Sequence, residues 1–304
     1  MRFVCGLLFF LFTSFHPAKE EDPYIVVLGI TQDAGYPQIG CDKDCCKKVY
    51  DKETTRQMVS SIAIVDPVSK QKWIIDATPD LSEQLQILNK YQDGDITGIF
   101  LTHAHIGHYT GLMYLGREAM NANKVPVYAM PRMYDFIKNN GPWSQLVTLN
   151  NIELKKLKAD SVIKLNERVS IEPLLVPHRD EFSETVGYLI KTGTRSVLFI
   201  PDIDKWNKWE RSIGDLVKQN DYLLVDGTFY REGELPGRNM SEIPHPFVEE
   251  TMRLFAGFDT ADKRKIWFIH FNHTNPLIRV KSRESKEVRD KGFNLAIQEQ
   301  VLPL

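Results

Sequence analysis

Three histidines that directly follow a strongly apolar segment constrain the fold more than any other feature of the chain. His103, His105 and His108 lie within six residues and make up three of the eight histidines. The preceding residues, 96–101, are β-branched and apolar, which predicts a buried strand. Alternate residues of an extended chain share a face, so His103 and His105 can point the same way. Three imidazoles at a strand end predict a metal site, and a helix is expected over residues 109–118.

Strands and helices are predicted to alternate along most of the chain. Apolar runs predict strands at residues 24–30, 60–65, 72–76, 125–129, 169–176, 185–191, 196–200, 222–225 and 265–269. Helical spacing of apolar residues predicts helices at residues 80–91, 131–139, 205–219 and 246–258. No linker divides this pattern. We therefore predict one domain over residues 23–304 with an α/β (α+β) fold, in which helices flank two mixed β-sheets.

Composition excludes several classes of protein. Hydrophobic residues make up 42% of the 304-residue chain, which is enough to bury a large core and argues against disorder. The net charge of -2 gives no reason to expect nucleic acid as a partner. A small molecule or a peptide is therefore the expected substrate, and oligomeric state is left open.

The N-terminal residues have the layout of a secretory signal. Arg2 precedes a short apolar run over residues 3–15, and a charged stretch follows at residues 19–22. We predict a signal peptide over residues 1–18, export from the cytoplasm, and no stable membrane association beyond that segment. A short membrane anchor and a misplaced start codon are the alternatives. Without a signal, the protein would be cytoplasmic.

Further polar residues stand where predicted strands end. His178, Asp202, Asp226 and His270 each follow an apolar run closely. Taken alone, such a histidine is more often a hydrogen-bonded structural residue, and such an aspartate is more often a helix cap. Together with the three clustered histidines, they predict one site built on loops at a sheet edge.

The order of these residues resembles the metallo-β-lactamase superfamily. His-x-His-x-x-His, a distant histidine, an aspartate and a final histidine form the ligand order of that family, and the match covers residues 24–304. Five segments resemble its pyrroloquinoline-quinone biosynthesis B branch, namely residues 28–38, 176–185, 200–206, 226–229 and 272–276. The resemblance implies an αββα sandwich with the metal site at one edge.

The resemblance also implies a role for each residue. It assigns the first metal to His103, His105 and His178, the second metal to His108 and His270, and a bridging carboxylate to Asp202, and it makes Asp202 and His270 catalytic. The family's usual aspartate before the third histidine is replaced by Gly107. We therefore expect one firmly bound metal and a weaker second one, unless Asp180 or Asp204 compensates.

The ligand set is compatible with more than one metal and more than one reaction. Three histidines and a carboxylate suit zinc, and they also suit iron or manganese. With zinc, a bound water would be acidified and would attack an ester, a lactone or a phosphodiester, which predicts a metallo-hydrolase. The resemblance implies a second possibility, a non-haem iron oxygenase acting on tyrosine in quinone-cofactor biosynthesis. The third is a non-catalytic binding protein with a weakened metal site.

The cysteines predict a separate, structural metal site. Cys41, Cys45 and Cys46 lie close together in sequence, and three thiolates need one more ligand for a closed tetrahedral zinc site. His273, three residues after His270, is the expected fourth ligand. One disulfide that involves Cys41, with a spare thiol, is the alternative.

The remaining polar candidates are assigned to the surroundings of the metals or to the substrate. Arg179, Asp180 and Glu184 follow His178 and could orient ligands or hold substrate, or form a solvated, salt-bridged loop. Asp204 and Asp226 could accept hydrogen bonds from ligating imidazoles. His245 could line the mouth of the site or cap the helix that follows it.

Overall fold

A computed structural model describes residues 21–304, so the predicted signal peptide over residues 1–18 lies outside the described residues. The strands are, in chain order, β1 (Tyr24–Gly29), β2 (Ser61–Asp66), β3 (Gln71–Ile75), β4 (Gly98–Phe100), β5 (Val125–Ala129), β6 (Ile152–Lys156), β7 (Ile163–Lys164), β8 (Ser170–Leu175), β9 (Val186–Lys191), β10 (Ser196–Ile200), β11 (Tyr222–Asp226), β12 (Ile266–Ile269), β13 (Asn294–Leu295) and β14 (Val301–Pro303). The α-helices are α1 (Asp44–Tyr50), α2 (Leu81–Tyr91), α3 (Ile106–Tyr109), α4 (Pro131–Asn139), α5 (Trp143–Thr148), α6 (Ile213–Gln219), α7 (Val248–Leu254), α8 (Thr260–Lys263) and α9 (Arg283–Asp290). Over residues 21–304, no helix has both the length and the apolar character needed to span a bilayer.

The strands form two seven-stranded sheets with the same internal pattern. The first has the order β14-β1-β2-β3-β4-β5-β6 and the second β13-β12-β11-β10-β9-β8-β7. In each sheet one half is antiparallel and the other half, β3 to β6 or β10 to β13, is parallel. The prediction of two mixed β-sheets flanked by helices is confirmed.

Two apolar layers hold the sheets and helices together. The larger core lies between the sheets and includes Phe100 of the first sheet with Tyr188 and Phe199 of the second. A second core packs helices α2 and α4 on the outer face of the first sheet. The buried Tyr188 hydroxyl also donates to the Leu101 carbonyl at 2.6 Å. This bond ties the second sheet to the chain just before the clustered histidines.

The parallel halves of the two sheets bring the polar strand ends to one edge of the sandwich. Neighbouring parallel strands end on the same side, and loops at such an edge are the usual place for a functional site. The histidine stretch follows β4, Asp202 follows β10, and His270 follows β12. Residues far apart in sequence therefore meet at this edge.

Two predicted helices differ from the observed ones. The helix expected over residues 109–118 begins earlier, as α3, and continues as a 3-10 helix over Thr110–Leu115. The helix expected over residues 205–219 is broken into a 3-10 turn at Trp206–Lys208 and helix α6. The break occurs because the Ser212 hydroxyl accepts a hydrogen bond from the backbone N–H of Asp215 and so begins a new helix.

Candidate metal centre

His103, His105 and His178 form the first group of converging side chains. His103 and His105 lie on the extended segment between β4 and α3, and His178 follows β8. His103 Nε2 lies 2.9 Å from His105 Nδ1, and the ligand atoms of the three residues all lie within 4.8 Å of one another. Both ring nitrogens of His178 are buried without a hydrogen-bond partner. The family resemblance assigns these three residues to one metal, and the structure brings them together.

Asp202 lies between this group and a second one. Its Oδ2 atom is 3.0 Å from His108 Nε2 and 3.1 Å from His270 Nε2. The same oxygen is 3.8 Å from His103 Nε2, and Oδ1 is 3.7 Å from His178 Nε2. The buried carboxylate thus faces both groups of histidines. This is the arrangement required of a bridging ligand.

The second group holds a carboxylate that sequence reasoning did not identify. Asp33, in the loop after β1, lies with its Oδ1 atom 3.3 Å from His108 Nε2. The ligand atoms of Asp33, His108 and His270 all lie within 4.8 Å of one another. Asp33 Oδ1, His108 Nε2, Asp202 Oδ2 and His270 Nε2 are buried, and none has a hydrogen-bond partner. Buried polar atoms without partners are costly, so four such donors in neighbouring side chains fit a metal ion.

Two buried aspartates that do not face the metal positions orient the histidines. Asp76, directly after β3, accepts hydrogen bonds from the backbone N–H and the hydroxyl of Thr102, and its Oδ2 atom lies 2.7 Å from His108 Nδ1. Because the Thr102 hydroxyl donates to Asp76, it can accept from His103 Nδ1 at 2.9 Å. Both His103 and His108 therefore present Nε2 to the centre, because a hydrogen bond at Nδ1 fixes the tautomer and orientation of a metal-binding imidazole.

In the second sheet, a threonine hydroxyl and a buried aspartate orient a histidine in the same way. The Thr228 hydroxyl donates to Asp226 at 2.7 Å and accepts from His270 Nδ1 at 3.0 Å. Asp226 Oδ2 also lies 2.7 Å from His245 Nδ1. Asp226, predicted to support a ligating imidazole, thus acts on His270 through Thr228. It binds His245 directly.

Burial sets the protonation of most of these imidazoles. It lowers the pKa of His178 to about 4, and it also lowers the pKa values of His103 and His270. These three rings are neutral at physiological pH, which is the form that binds metals. Burial opposes a charge on His108 as well, but the charge of Asp76 and the hydrogen bonds to Asp202, Asp33 and Asp76 together raise the pKa of His108 well above its usual range. A metal at His108 must therefore displace a proton.

The cysteines form a compact second cluster with His273. The Sγ atoms of Cys41 and Cys45 are 3.6 Å apart, and those of Cys45 and Cys46 are 4.0 Å apart. His273 Nδ1 lies 3.5 Å from Cys45 Sγ and 3.4 Å from Cys46 Sγ. A tetrahedral zinc with Zn–S bonds of about 2.3 Å requires sulfur atoms about 3.8 Å apart. The three thiols are free, so the donors fit a closed metal site better than the alternative disulfide.

Comparison with known proteins identifies the family. A sequence profile of the beta-lactamase superfamily domain matches residues 72–271, well over half of the chain. The chain belongs to the metallo-β-lactamase superfamily. A coenzyme PQQ synthesis protein B from Pseudomonas putida (strain GB-1) is 28% identical over 306 residues, which cover 90% of this chain and 97% of that protein. The predicted resemblance to this superfamily and to its PqqB-like branch is confirmed.

Solved structures share the superfamily fold. Zn(2+)-bound PqqB from Methylobacterium extorquens superposes with a TM-score of 0.76 at 22% identity, covering 92% of this chain and all (100%) of that one. A diphosphatase from the PhnP family superposes with a TM-score of 0.64 at 20% identity, covering 93% of this chain and 97% of that one. At these identities the likeness shows the fold alone.

A polar cavity adjoins the edge of the sandwich where the histidines and Asp202 converge. Its volume is about 380 Å³, and it is lined by Gln32, Gln38, Arg179, Phe229, Leu235, Arg238, Ile243, Pro244, His245, Asn272 and His273. His245 thus lies at the boundary between the cavity and the metal ligands, since its Nδ1 is 3.6 Å from Asp202 Oδ1. Burial opposes a charge on His245, but the carboxylates of Asp226 and Asp202 together raise the pKa of the ring. Two arginines, Arg179 and Arg238, give the cavity lining its positive charge.

Three other predicted residues make their contacts elsewhere. The Asp180 carboxylate accepts from the Thr185 hydroxyl, Glu184 accepts from the backbone N–H of Arg132 in α4, and Asp204 binds Lys208 at 2.7 Å. Among residues 21–304, none of the three belongs to a group that could hold a metal. The expectation that Asp180 or Asp204 compensates for Gly107 is wrong, because these carboxylates are engaged in loop and helix contacts.

Asp33 and Asp76 are the main residues that sequence reasoning missed. Asp76 carried a usable signal, since it ends an apolar strand as Asp202 and Asp226 do. Asp33 carried a weaker one, because it follows the first strand within a polar turn and has no fixed distance from the histidines. Its proximity to His108 depends on how the turn folds back, which spacing in the sequence does not express.

Proposed function

We propose that this chain is a metal-dependent hydrolase of an anionic ester, with a phosphodiester as the favoured substrate class. The observation that carries the proposal is the convergence of seven side chains, His103, His105, His108, His178, Asp202, His270 and Asp33, on two adjoining positions at the sheet edge. Imidazole and carboxylate donors in this proportion suit zinc, and they also suit manganese or iron.

The residues of the chain divide the work between metal binding and substrate binding. A metal held by these residues would acidify a water molecule and polarise the bond under attack. Asp202 would bind at both metal positions and so fix them relative to each other, because it faces both histidine groups. Asp76 and Asp226 would keep the imidazoles oriented, and the closed packing around Asp202 would exclude bulk water from the centre.

The charge of the adjoining cavity supports the anionic substrate class. Arg179 and Arg238 line it from two different loops, and the His245 ring, which lies 3.6 Å from Asp202, lines the same cavity. Guanidinium groups bind phosphate oxygens with paired hydrogen bonds. A neutral lactone would leave both arginines without a partner, so a phosphodiester fits the lining better.

Turnover assays with defined metals test the proposal. We expect the purified protein loaded with Zn²⁺ or Mn²⁺ to hydrolyse bis(p-nitrophenyl) phosphate faster than an aryl ester or a γ-lactone of similar size. Asp202→Asn should lower kcat roughly 100-fold or more, since metals in such sites contribute several kcal/mol to the transition state. Asp215→Asn, on the exposed side of α6, is the matched control and should leave turnover unchanged. Equal turnover in Asp202→Asn and the native chain would refute the proposal.

A second candidate is a reaction in coenzyme PQQ synthesis, favoured by the relatives of that name that align along nearly their whole length. For this candidate we expect iron in the anaerobically purified protein and oxygen uptake that depends on a tyrosine-containing peptide. Such uptake without phosphodiester turnover would replace the hydrolase proposal. Metal binding without either activity would favour a binding role.

We also propose that the protein is exported, on the pattern of residues 1–18. Fusion of residues 1–20 to a phosphatase that is active only outside the cytoplasm tests this. Phosphatase activity supports export, and its absence places the protein in the cytoplasm.

A further inference from the structure

The second metal position lacks the carboxylate that the superfamily usually places just before the third histidine, since residue 107 is glycine. Three donors, His108, Asp202 and His270, remain from the superfamily pattern. The question is whether another residue of this chain completes the set.

The space that a side chain at residue 107 would occupy is filled by Asp33. A Cβ atom built on Gly107 would lie 2.5 Å from Asp33 Cα and 3.1 Å from Asp33 Cβ, and it would overlap the carboxylate itself. Contacts this close to a backbone atom cannot be relieved by a rotamer change. Glycine at residue 107 is therefore required by the position of Asp33, and the two features form one arrangement.

The geometry of Asp33 is that of a ligand. Its Oδ1 atom lies 3.3 Å from His108 Nε2, and Asp202 Oδ2 lies 3.0 Å from the same nitrogen. Donors held about 2.1 Å from a tetrahedral ion are about 3.4 Å apart, so these separations are close to those of a coordination shell. Asp33 Oδ1 is buried without a hydrogen-bond partner, although the side chain as a whole is 21% exposed.

The backbone fixes Asp33 at this position. The N–H of Gln32 donates to the Phe271 carbonyl at 2.9 Å, and the N–H of Phe271 donates to the Ile30 carbonyl at 2.8 Å. The segment before Asp33 is thus paired with the residue that follows His270. After Asp33 the chain turns at Gly35, whose φ of +73° suits glycine.

We propose that Asp33 is the carboxylate ligand of the second metal, supplied by the loop after β1 in place of the side chain lost at residue 107. The second site then consists of Asp33, His108, Asp202 and His270, with the same number of donors as a site with an aspartate at residue 107. The weaker second metal expected from the sequence is replaced by a complete site. The inference rests on the metal-binding part of the proposed function and not on the reaction.

Metal analysis of two kinds of variant tests this proposal. Asp33→Ala removes the carboxylate, whereas Gly107→Ala removes no donor atom but displaces Asp33. Each should lose one equivalent of Zn²⁺ per chain, measured by elemental analysis, and weaken that site roughly 100-fold or more in competition with a chelator, because even outer-shell changes cost 10–100-fold. In the Co²⁺-substituted protein, both should lose the visible absorption of one ion.

Matched variants control for the substitutions themselves. Asp42→Ala removes an exposed carboxylate from the same connection, and Gly193→Ala adds a Cβ where nothing lies within 4 Å. Both should keep the native stoichiometry, and circular dichroism should show that all four variants are folded. Native stoichiometry and affinity in Asp33→Ala would overturn the proposal, and so would a native chain that binds a single ion at this edge in excess metal. Loss of the ion in Asp33→Ala, together with no turnover by the native chain, would refute only the hydrolase proposal.

Discussion

The orientation of the imidazoles depends on buried carboxylates that bind their Nδ1 atoms, either directly or through a threonine hydroxyl. Asp76 reaches His108 directly and His103 through Thr102, and Asp226 reaches His245 directly and His270 through Thr228. Each sheet thus uses one buried aspartate to direct two histidines. A carboxylate in this position fixes the tautomer and raises the basicity of the ring, so its effect should appear in metal affinity.

Asp76→Asn should weaken metal binding more than it weakens the fold. Asparagine keeps the size of the side chain and tolerates the backbone φ of +71°, but its amide nitrogen cannot accept a hydrogen bond from His108. We expect Zn²⁺ affinity to fall by about 10–100-fold in chelator competition. Asp66→Asn is the control, since Asp66 is equally buried at the opposite end of the sheet and binds Arg168. It should lower the melting temperature and leave affinity unchanged; an equal loss of affinity in both variants would point to a general loosening.

Arg179 and Arg238 should determine the preference for an anionic substrate. Both line the cavity beside His245, and neither belongs to a metal-binding group among the described residues. Replacing both with alanine should raise KM for bis(p-nitrophenyl) phosphate at least about tenfold while kcat changes less, since two charge-assisted contacts would be lost. Arg231→Ala removes an exposed charge from the same loop as Arg238 and should have no such effect. An equal rise in KM for a neutral ester would show that the arginines only shape the cavity.

One connecting segment links the histidine cluster to the cysteine cluster. The chain between β1 and α1 carries Asp33 near its start and Cys41 near its end. Cys45 and Cys46 follow in α1. His273, which contacts two of those cysteines, lies three residues beyond His270. A metal in the cysteine cluster would therefore hold the segment that places Asp33 beside His108.

Cys45→Ser should act on both clusters. We expect loss of one equivalent of zinc, a lower melting temperature, and a several-fold weaker second metal at the histidine edge, because the anchored end of the segment is released. Lys47→Ala, two residues along α1 and exposed, is the control. Native zinc content and native melting in Cys45→Ser would show that the cluster holds no structural metal.

Elements with strong apolar periodicity could be predicted from the sequence, and those without it could not. Strands β9 to β12 are continuous apolar runs, and all were expected close to their observed bounds. Strands β6 and β7 and helix α9 are largely polar, and they are stabilised by pairing and packing at the edges of the fold rather than by their own pattern. The same limit applies to the site. The clustered histidines could be assigned to the site from the sequence. The position of Asp33 beside His108 could not, because it depends on the backbone pairing between Gln32 and Phe271, which only the folded chain creates.

The whole sandwich contributes to the metal edge, because each sheet supplies part of every ligand group. His103, His105 and His108 follow a strand of the first sheet, whereas His178, Asp202 and His270 follow strands of the second. Ions bound between them would crosslink the two sheets at the edge of the inter-sheet core. Metal content should therefore affect global stability as well as activity.

Chelation should lower the melting temperature in two separable steps. An ion that binds only the folded chain stabilises it by about 2.7 kcal/mol at a free concentration of 100 times its Kd, and one kcal/mol corresponds to about 2–4 °C for a domain of this order of size. A mild chelator should first strip the histidine edge, because a catalytic site keeps an open coordination position whereas a structural site is closed, and it should lower the melting temperature by several degrees. A stronger one should then strip the cysteine cluster and lower it again. Asp202→Asn should show only the second step and Cys45→Ser only the first, and Zn²⁺ should restore the native value. A native protein whose melting temperature is unchanged by complete metal removal would show that the ions do not join the sheets.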